Sequence, residues 1–115
     1  MVRQGAIDNQ PKTPFVLGFE CAGEVEAVGE GVEGFAVGDR VAALVEQGAW
    51  AELVAAPAKH VYKLPSGMDY KDAVAVTLNF AVAQALLFDV GNLKSGQTVI
   101  VHSAGGGVVS GRRSV

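Results

Sequence analysis

The stretch Val101-His102-Ser103-Ala104-Gly105-Gly106-Gly107 has the make-up of a phosphate cradle. A strand that runs into close-set glycines lets the main chain approach a pyrophosphate, which the N-terminus of a following helix then stabilises. Two frames fit. In Ala104-x-Gly106-x-x-Val109 the third position carries Val109, although a small residue is needed there for close helix–strand packing. In Gly105-x-Gly107-x-x-Ser110 the third residue is small, but the frame sits less naturally after the strand. Downstream, Ser110 to Val115 leaves no room for a helix and holds no acidic residue to bind a ribose. The stretch is therefore either a cofactor loop or a glycine-rich loop and tail.

Thr77 and Asn79 are the next candidates, because they interrupt an otherwise apolar run and a buried polar group must find a partner. They either cap and break a helix or contact a ligand at the mouth of a cleft. Cys21 fits a small buried residue better than a nucleophile, since an unreactive packed cysteine needs no activating neighbour. His60 and His102 are far apart in sequence and have no metal-ligand spacing with the one cysteine. His102 ends the candidate strand beside the glycines, so it is the better functional candidate of the two histidines.

These residues need elements to hold them. Between Gly18 and Val41, Glu24, Glu26 and Glu30 sit among Val25, Ala27 and Val32. Such near-alternation predicts half-buried strands, joined by a glycine-rich loop and closed by a Gly38-Asp39 turn. Val41 to Glu46 continues as a strand, Gln47-Gly48 turns, and Trp50 to Ala56 alternates again until Pro57 ends it. A short strand follows over His60 to Leu64. Asp69 with Asp72 marks a helix start, and Ala73 to Val90 is apolar nearly all round, which predicts a buried helix ended by Gly91-Asn92. Thr98 to Val101 is β-branched and bounded by a turn, as in a parallel strand buried on both faces.

Bulk properties narrow the classes. The chain has 115 residues, half of them hydrophobic, with net charge −3. A packed core fits that composition, and an acidic balance argues against non-specific nucleic-acid binding. The single cysteine excludes an internal disulfide, and Met1 to Gln10 has no apolar leader stretch, so the chain reads as cytoplasmic. Ala73 to Val90 is marginal in length for a membrane span. Thr77, Asn79 and Gln84 interrupt it, Asp89 ends it, and anchors are missing on both flanks, so no transmembrane segment is expected.

Taken together, Gly18-Phe19-Glu20-Cys21-Ala22-Gly23-Glu24-Val25, Gly38-Asp39-Arg40-Val41, Ala49-Trp50-Ala51-Glu52, Leu78-Asn79-Phe80 and Val101 to Val108 resemble the zinc-free quinone oxidoreductase branch of the medium-chain dehydrogenase/reductase superfamily. Within it they are most similar to the VAT-1 group. The resemblance runs from about Val2 to Val108 and implies a mostly β fold with α: a partial GroES-like barrel, a helical segment and the first strand of a truncated Rossmann domain. It implies a barrel part over 1–76, the start of a cofactor domain over 77–108 and a divergent tail over 109–115. Phe19 stands where zinc-dependent members carry a histidine, so no catalytic zinc is implied. NADPH would be the cofactor, with Asn79 near the nicotinamide and Ser103, Ala104, Gly105, Gly106 and Gly107 near the pyrophosphate. Hydride would pass to a quinone or enone, with no obligatory nucleophile and so no catalytic residue. Members tend to homodimerise. The alternative is a non-catalytic, VAT-1-like protein of membrane association or interaction. The family's opening barrel strands and later βα units have no counterpart here, which implies a fragment, a splice form or a gene-prediction error. Such a chain would be inactive alone.

Overall fold

The computed structural model describes residues 11–103 and 105–111. Three antiparallel strands form the sheet: β1 (Glu20–Glu24), β2 (Arg40–Leu44) and β3 (Val61–Lys63), in the order β1-β2-β3. β2 is central, and Val41, Ala42 and Ala43 on it are buried. Glu20 faces Leu44 and Glu24 faces Arg40 across the first pair, while Ala42 faces Tyr62 across the second. The pairing runs on past both ends of β1, with Val25 N–H donating to the Asp39 carbonyl at 2.9 Å and Val45 N–H to that of Phe19 at 2.8 Å.

Only the first of the two strands expected within Gly18 to Val41 forms. Residues 25–39 loop outward, and the Gly38-Asp39 turn closes them back onto β2. Gly38 takes φ +87°, a left-handed conformation that favours glycine, and the Asp39 carboxylate accepts from Ala36 N–H at 2.8 Å. Trp50 to Ala56 also differs from expectation. Its alternation is real, but no neighbouring strand lies beside it among the described residues, and Trp50 and Leu53 stay 73% and 71% exposed. Alternation sets which side chains share a face, whereas a strand exists only once its backbone finds a ladder.

Helix α1 (Tyr70–Gln84) starts where the sequence places it: Asp69 is the N-cap, accepting from Lys71 N–H at 2.8 Å. Thr77 and Asn79 do not break or cap it. Their side chains donate to the carbonyls four residues back, Ala73 at 2.6 Å and Ala75 at 2.9 Å, which satisfies them without ending the helix. The helix then widens into a π-helical stretch, Ala85–Val90. Gly91 N–H closes it on the Leu86 carbonyl at 3.0 Å. A Cβ on Gly91 would lie 2.7 Å from that oxygen, so glycine is required there. The expected full burial does not occur: in α1 only Ala73 and Ala83 are buried, and Leu86 and Val90 beyond it are exposed.

Thr98 to Val101 joins no sheet among the described residues, and Ile100 is 82% exposed. The composition of a buried parallel strand is present without the flanking strands that would bury it. A helix, α2 (Gly107–Gly111), does form where no room for one was expected. It packs on α1, and tertiary contact supplies what propensity does not.

Candidate functional site

The site is built where α1 crosses the face of β2 and β3. A cleft of about 810 Å³ opens there, walled on the sheet side by Leu44 and Leu64 and on the helix side by Thr77, Asn79 and Phe80, with Gly107 at its rim. Asn79 and Gly107, separated by most of a helix and a loop in sequence, meet in this cleft. The Asn79 carboxamide lies flat against the Gly107 Cα, such that a Cβ on Gly107 would fall 2.7 Å from Nδ2 and 2.9 Å from Oδ1. Only a residue without a side chain permits that approach. Because Nδ2 donates to the Ala75 carbonyl, Oδ1 is left as the acceptor on the cleft side.

Ser103 takes φ +58°, unusual for a residue with a Cβ, and its carbonyl accepts from Gly106 N–H at 3.0 Å. This brings Gly106 back onto Ser103 just before α2. A Cβ on Gly105 would meet nothing within 4 Å, so Gly105 presents its backbone to open space. Ala104, in the middle of the predicted cradle, lies outside the described residues.

The remaining candidates are elsewhere. His60 ends a short 3-10 turn (Ala58–His60) and is exposed, as is His102; they do not converge on the cleft. Cys21 sits in β1 opposite Ala43, and burial pushes its thiol above the ordinary value, so it is held as the unreactive thiol. Phe19 is 48% exposed at the edge of the sheet. Among the described residues no three His, Cys, Asp or Glu side chains gather to hold a metal.

One cluster was not foreseen from sequence. The Arg40 guanidinium stacks on the Tyr70 ring, 4.5 Å from its centroid, and donates through Nε to the Tyr70 hydroxyl at 3.1 Å and through Nη2 to the Met68 carbonyl. The hydroxyl in turn donates to Glu24 at 3.0 Å. β1, β2 and the start of α1 are thereby tied at one point, which fixes the angle at which the helix carries Asn79 to the cleft. Glu24 and Arg40 are cross-strand partners, and that pairing was the part a sequence could have suggested. A second tie, Lys63 Nζ to Asp39 at 2.8 Å, holds the returning loop onto β3 and, with the Ala36 N–H, keeps the Asp39 carboxyl below its usual range.

Comparison with known proteins places these features. Residues 1–66 match the alcohol dehydrogenase GroES-like domain. Synaptic vesicle membrane protein VAT-1 homolog-like from Homo sapiens is 56% identical over 108 residues, which is 94% of this chain and 26% of that protein. The crystal structure of the human VAT-1 homolog-like protein superposes with a TM-score of 0.93 at 55% identity, over 96% of this chain and 36% of that one. Quinone oxidoreductase from Thermus thermophilus, whose structures include its complex with NADPH, gives a TM-score of 0.79 at 33% identity, over 96% of this chain and 33% of that one. The chain thus spans about a quarter of the length of the curated relatives it matches. On the match to its first 66 residues and on these likenesses, the chain belongs to the alcohol dehydrogenase GroES-like family, among the VAT-1 and quinone oxidoreductase members of the medium-chain dehydrogenase/reductase superfamily.

Proposed function

We propose that the chain is the barrel-side part of a zinc-independent, NADPH-dependent reductase that passes hydride to a quinone or an enone, and that it is inactive by itself. The observation that carries this is the contact of Asn79 with Gly107 at the mouth of an apolar cleft. In this reading the chain divides near residue 76, inside α1. Residues 77–108 begin the cofactor-binding part and 109–115 form a divergent tail.

When bound, NADPH would supply the hydride. The chain's own part is positioning. Ser103, Gly105, Gly106 and Gly107, with Ala104, would receive the pyrophosphate on bare backbone, and the Asn79 Oδ1 would accept from the cofactor's amide side. Leu44, Leu64 and Phe80 would exclude water from a flat, apolar substrate. No side chain of the described residues is asked to act as a nucleophile, and Phe19 in the position of the zinc ligand suits a reaction that needs no metal. Homodimerisation, as in the family, belongs to the same proposal.

The test is an NADPH titration of two proteins: the 115-residue chain, and the same chain continued through the later part of the human VAT-1 homolog-like relative. Saturable enhancement of nicotinamide fluorescence in the longer protein, with little in the short one, is the expected result. No binding to the longer protein at millimolar NADPH would remove the reductase reading.

A second reading is favoured by one feature. The continuous helix Tyr70–Val90 is 21 residues long, apolar enough to cross a membrane by length and composition, and little buried. A cytoplasmic protein that rests on a vesicle surface through this helix, without turnover, would use the same face. Flotation of the chain with phosphatidylcholine vesicles would support it, and recovery in the unbound fraction would remove it.

A further inference from the structure

Glu24 and Arg40 face each other across β1 and β2, where a carboxylate and a guanidinium ordinarily pair. Among the described residues no ion pair joins them. The Tyr70 hydroxyl stands between, accepting from Arg40 Nε at 3.1 Å and donating to Glu24 at 3.0 Å. Tyr70 is the first residue of α1, and the Arg40 guanidinium also lies on its ring and donates to the Met68 carbonyl. Arg40 thus grips the helix on both sides of its Asp69 cap. Its own carbonyl accepts from Leu64 N–H at 2.8 Å, so one residue holds the chain where it leaves β3 and again where it enters α1. Between those holds the chain turns at Gly67, with φ +83° and nothing within 4 Å of the place a Cβ would take. The turn does not set the direction of the helix; its packing on the sheet and the Arg40 grip do.

Asn79 lies about 13 Å further along the helix axis than Tyr70. Its carboxamide meets Gly107 so closely that a Cβ on that glycine would fall 2.7 Å from Nδ2. A tilt of about 10° at Tyr70 would move the amide by about 2 Å, enough to part it from Gly107. The contact at the cleft therefore depends on an angle fixed at the helix start. Arg40, which fixes it, has two places to go. On the sheet Glu24 offers a full charge; on the helix Tyr70 and Met68 offer a ring, a hydroxyl and a carbonyl. By donating to Glu24, the hydroxyl gives the carboxylate a partner without surrendering Arg40 to it.

We propose that Tyr70 is a positioning residue for the cofactor site: its hydroxyl occupies Glu24, keeps Arg40 on the helix and so registers the Asn79 amide against Gly107. Without the hydroxyl, Arg40 turns to Glu24, pairs with it across the strands and lets go of the first turn of α1. Tyr70 touches neither hydride nor substrate; it acts through Asn79. The inference rests on the reading of Asn79 and Gly107 as cofactor contacts.

The test uses the chain continued through the later part of the human VAT-1 homolog-like relative. Tyr70→Phe keeps the ring and removes only the hydroxyl, and the NADPH dissociation constant should rise about tenfold. Adding Glu24→Gln removes the competing charge and should bring the constant back to within about threefold of the starting protein. A hydroxyl with a merely structural role predicts the reverse, since the double variant would lose a second group and bind no better than the single one. The Asn79 side-chain amide, followed by heteronuclear NMR and assigned by its loss in Asn79→Asp, gives a readout that needs no cofactor. Its signals should shift in Tyr70→Phe and return in the double variant. Unchanged Asn79 signals or an unchanged NADPH affinity in Tyr70→Phe overturns the proposal, as does a shift that Glu24→Gln fails to reverse. If the starting protein binds no NADPH while the Asn79 signals move and return as expected, the reductase reading falls and the positioning of Asn79 by Tyr70 stands.

Discussion

Gly107 is a small residue with a large consequence at the cleft. Gly107→Ala places a methyl group on the Asn79 amide, so the amide must rotate away and give up the bond to Ala75 or the approach of α2. In the chain extended through the cofactor part, NADPH affinity should fall about tenfold, equivalent to about 1.4 kcal/mol, and fluorescence titration reads it. Gly18 is the second such position. It takes φ +92°, and a Cβ there would meet the Trp50 backbone nitrogen at 2.8 Å and run into the indole ring. Gly18→Ala should cost about 2 kcal/mol, read as lost amide protection at Ala49 and Trp50, whose N–H groups bond to Gly18 and Leu17.

Two titrating groups carry expectations of opposite sign. Asp39 is held low first by its hydrogen bond from Lys63 and then by the Ala36 N–H. Its contribution to stability is present above the unfolded carboxylate value and is lost as pH falls through the lower folded value. Lys63→Met should raise the Asp39 titration toward the ordinary carboxylate range, followed by carboxyl NMR. With a pair at the surface and the lysine exposed, the effect on stability should be small. Cys21 is raised by burial, so its contribution is present below the ordinary thiol value and is lost as pH rises through the higher folded one. Iodoacetamide at mildly alkaline pH should alkylate Cys21 more slowly in the folded chain than in urea.

At the scale of elements, what was legible in sequence was whatever local chemistry alone decides. The Asp69 cap and the Gly38-Asp39 turn follow from residues within a few positions of one another. Asp69→Ala should remove about 1 kcal/mol from the first turn of α1, visible as faster amide exchange there. What was not legible depends on partners distant in sequence. Trp50 to Ala56 and Thr98 to Val101 have strand patterns and no ladders among the described residues, because pattern names a face and not a neighbour. Thr77 and Asn79 were ambiguous for the same reason. Their bonds to carbonyls one turn back cannot be told from caps until the helix is seen to continue.

The site divides in the same way. The glycine cluster and Asn79 were each visible as residues, but the contact between Asn79 and Gly107 was not, since it depends on how α2 lies against α1. The tie through Arg40, Tyr70 and Glu24 was invisible apart from its cross-strand half.

For the whole molecule the balance of buried and exposed surface is decisive. Among the described residues the buried hydrophobic ones are Val41 and five alanines, and no large side chain is fully buried. Alanine gains little from burial, and a core of this kind offsets only a part of the conformational entropy lost on ordering. The radius of gyration, 16.5 Å, exceeds the value of about 13 Å for a compact chain of this length. The isolated chain should therefore melt broadly and bind a hydrophobic dye. A sharp, cooperative transition of the purified monomer would contradict this.

The π-helical stretch Ala85–Val90 bears on how one rod presents two faces. A wider turn lags behind the regular helix, so the side chains after Gln84 are carried round the axis away from the direction that Ala73 and Ala83 face. The stretch works as a cam: the first half is phased to the sheet, and the second is turned off that phase. Deleting one residue between Ala85 and Val90 would remove the phase step and turn the second half toward the direction that Ala73 and Ala83 face. The length of this stretch, more than its composition, then decides which way the helix's far end looks.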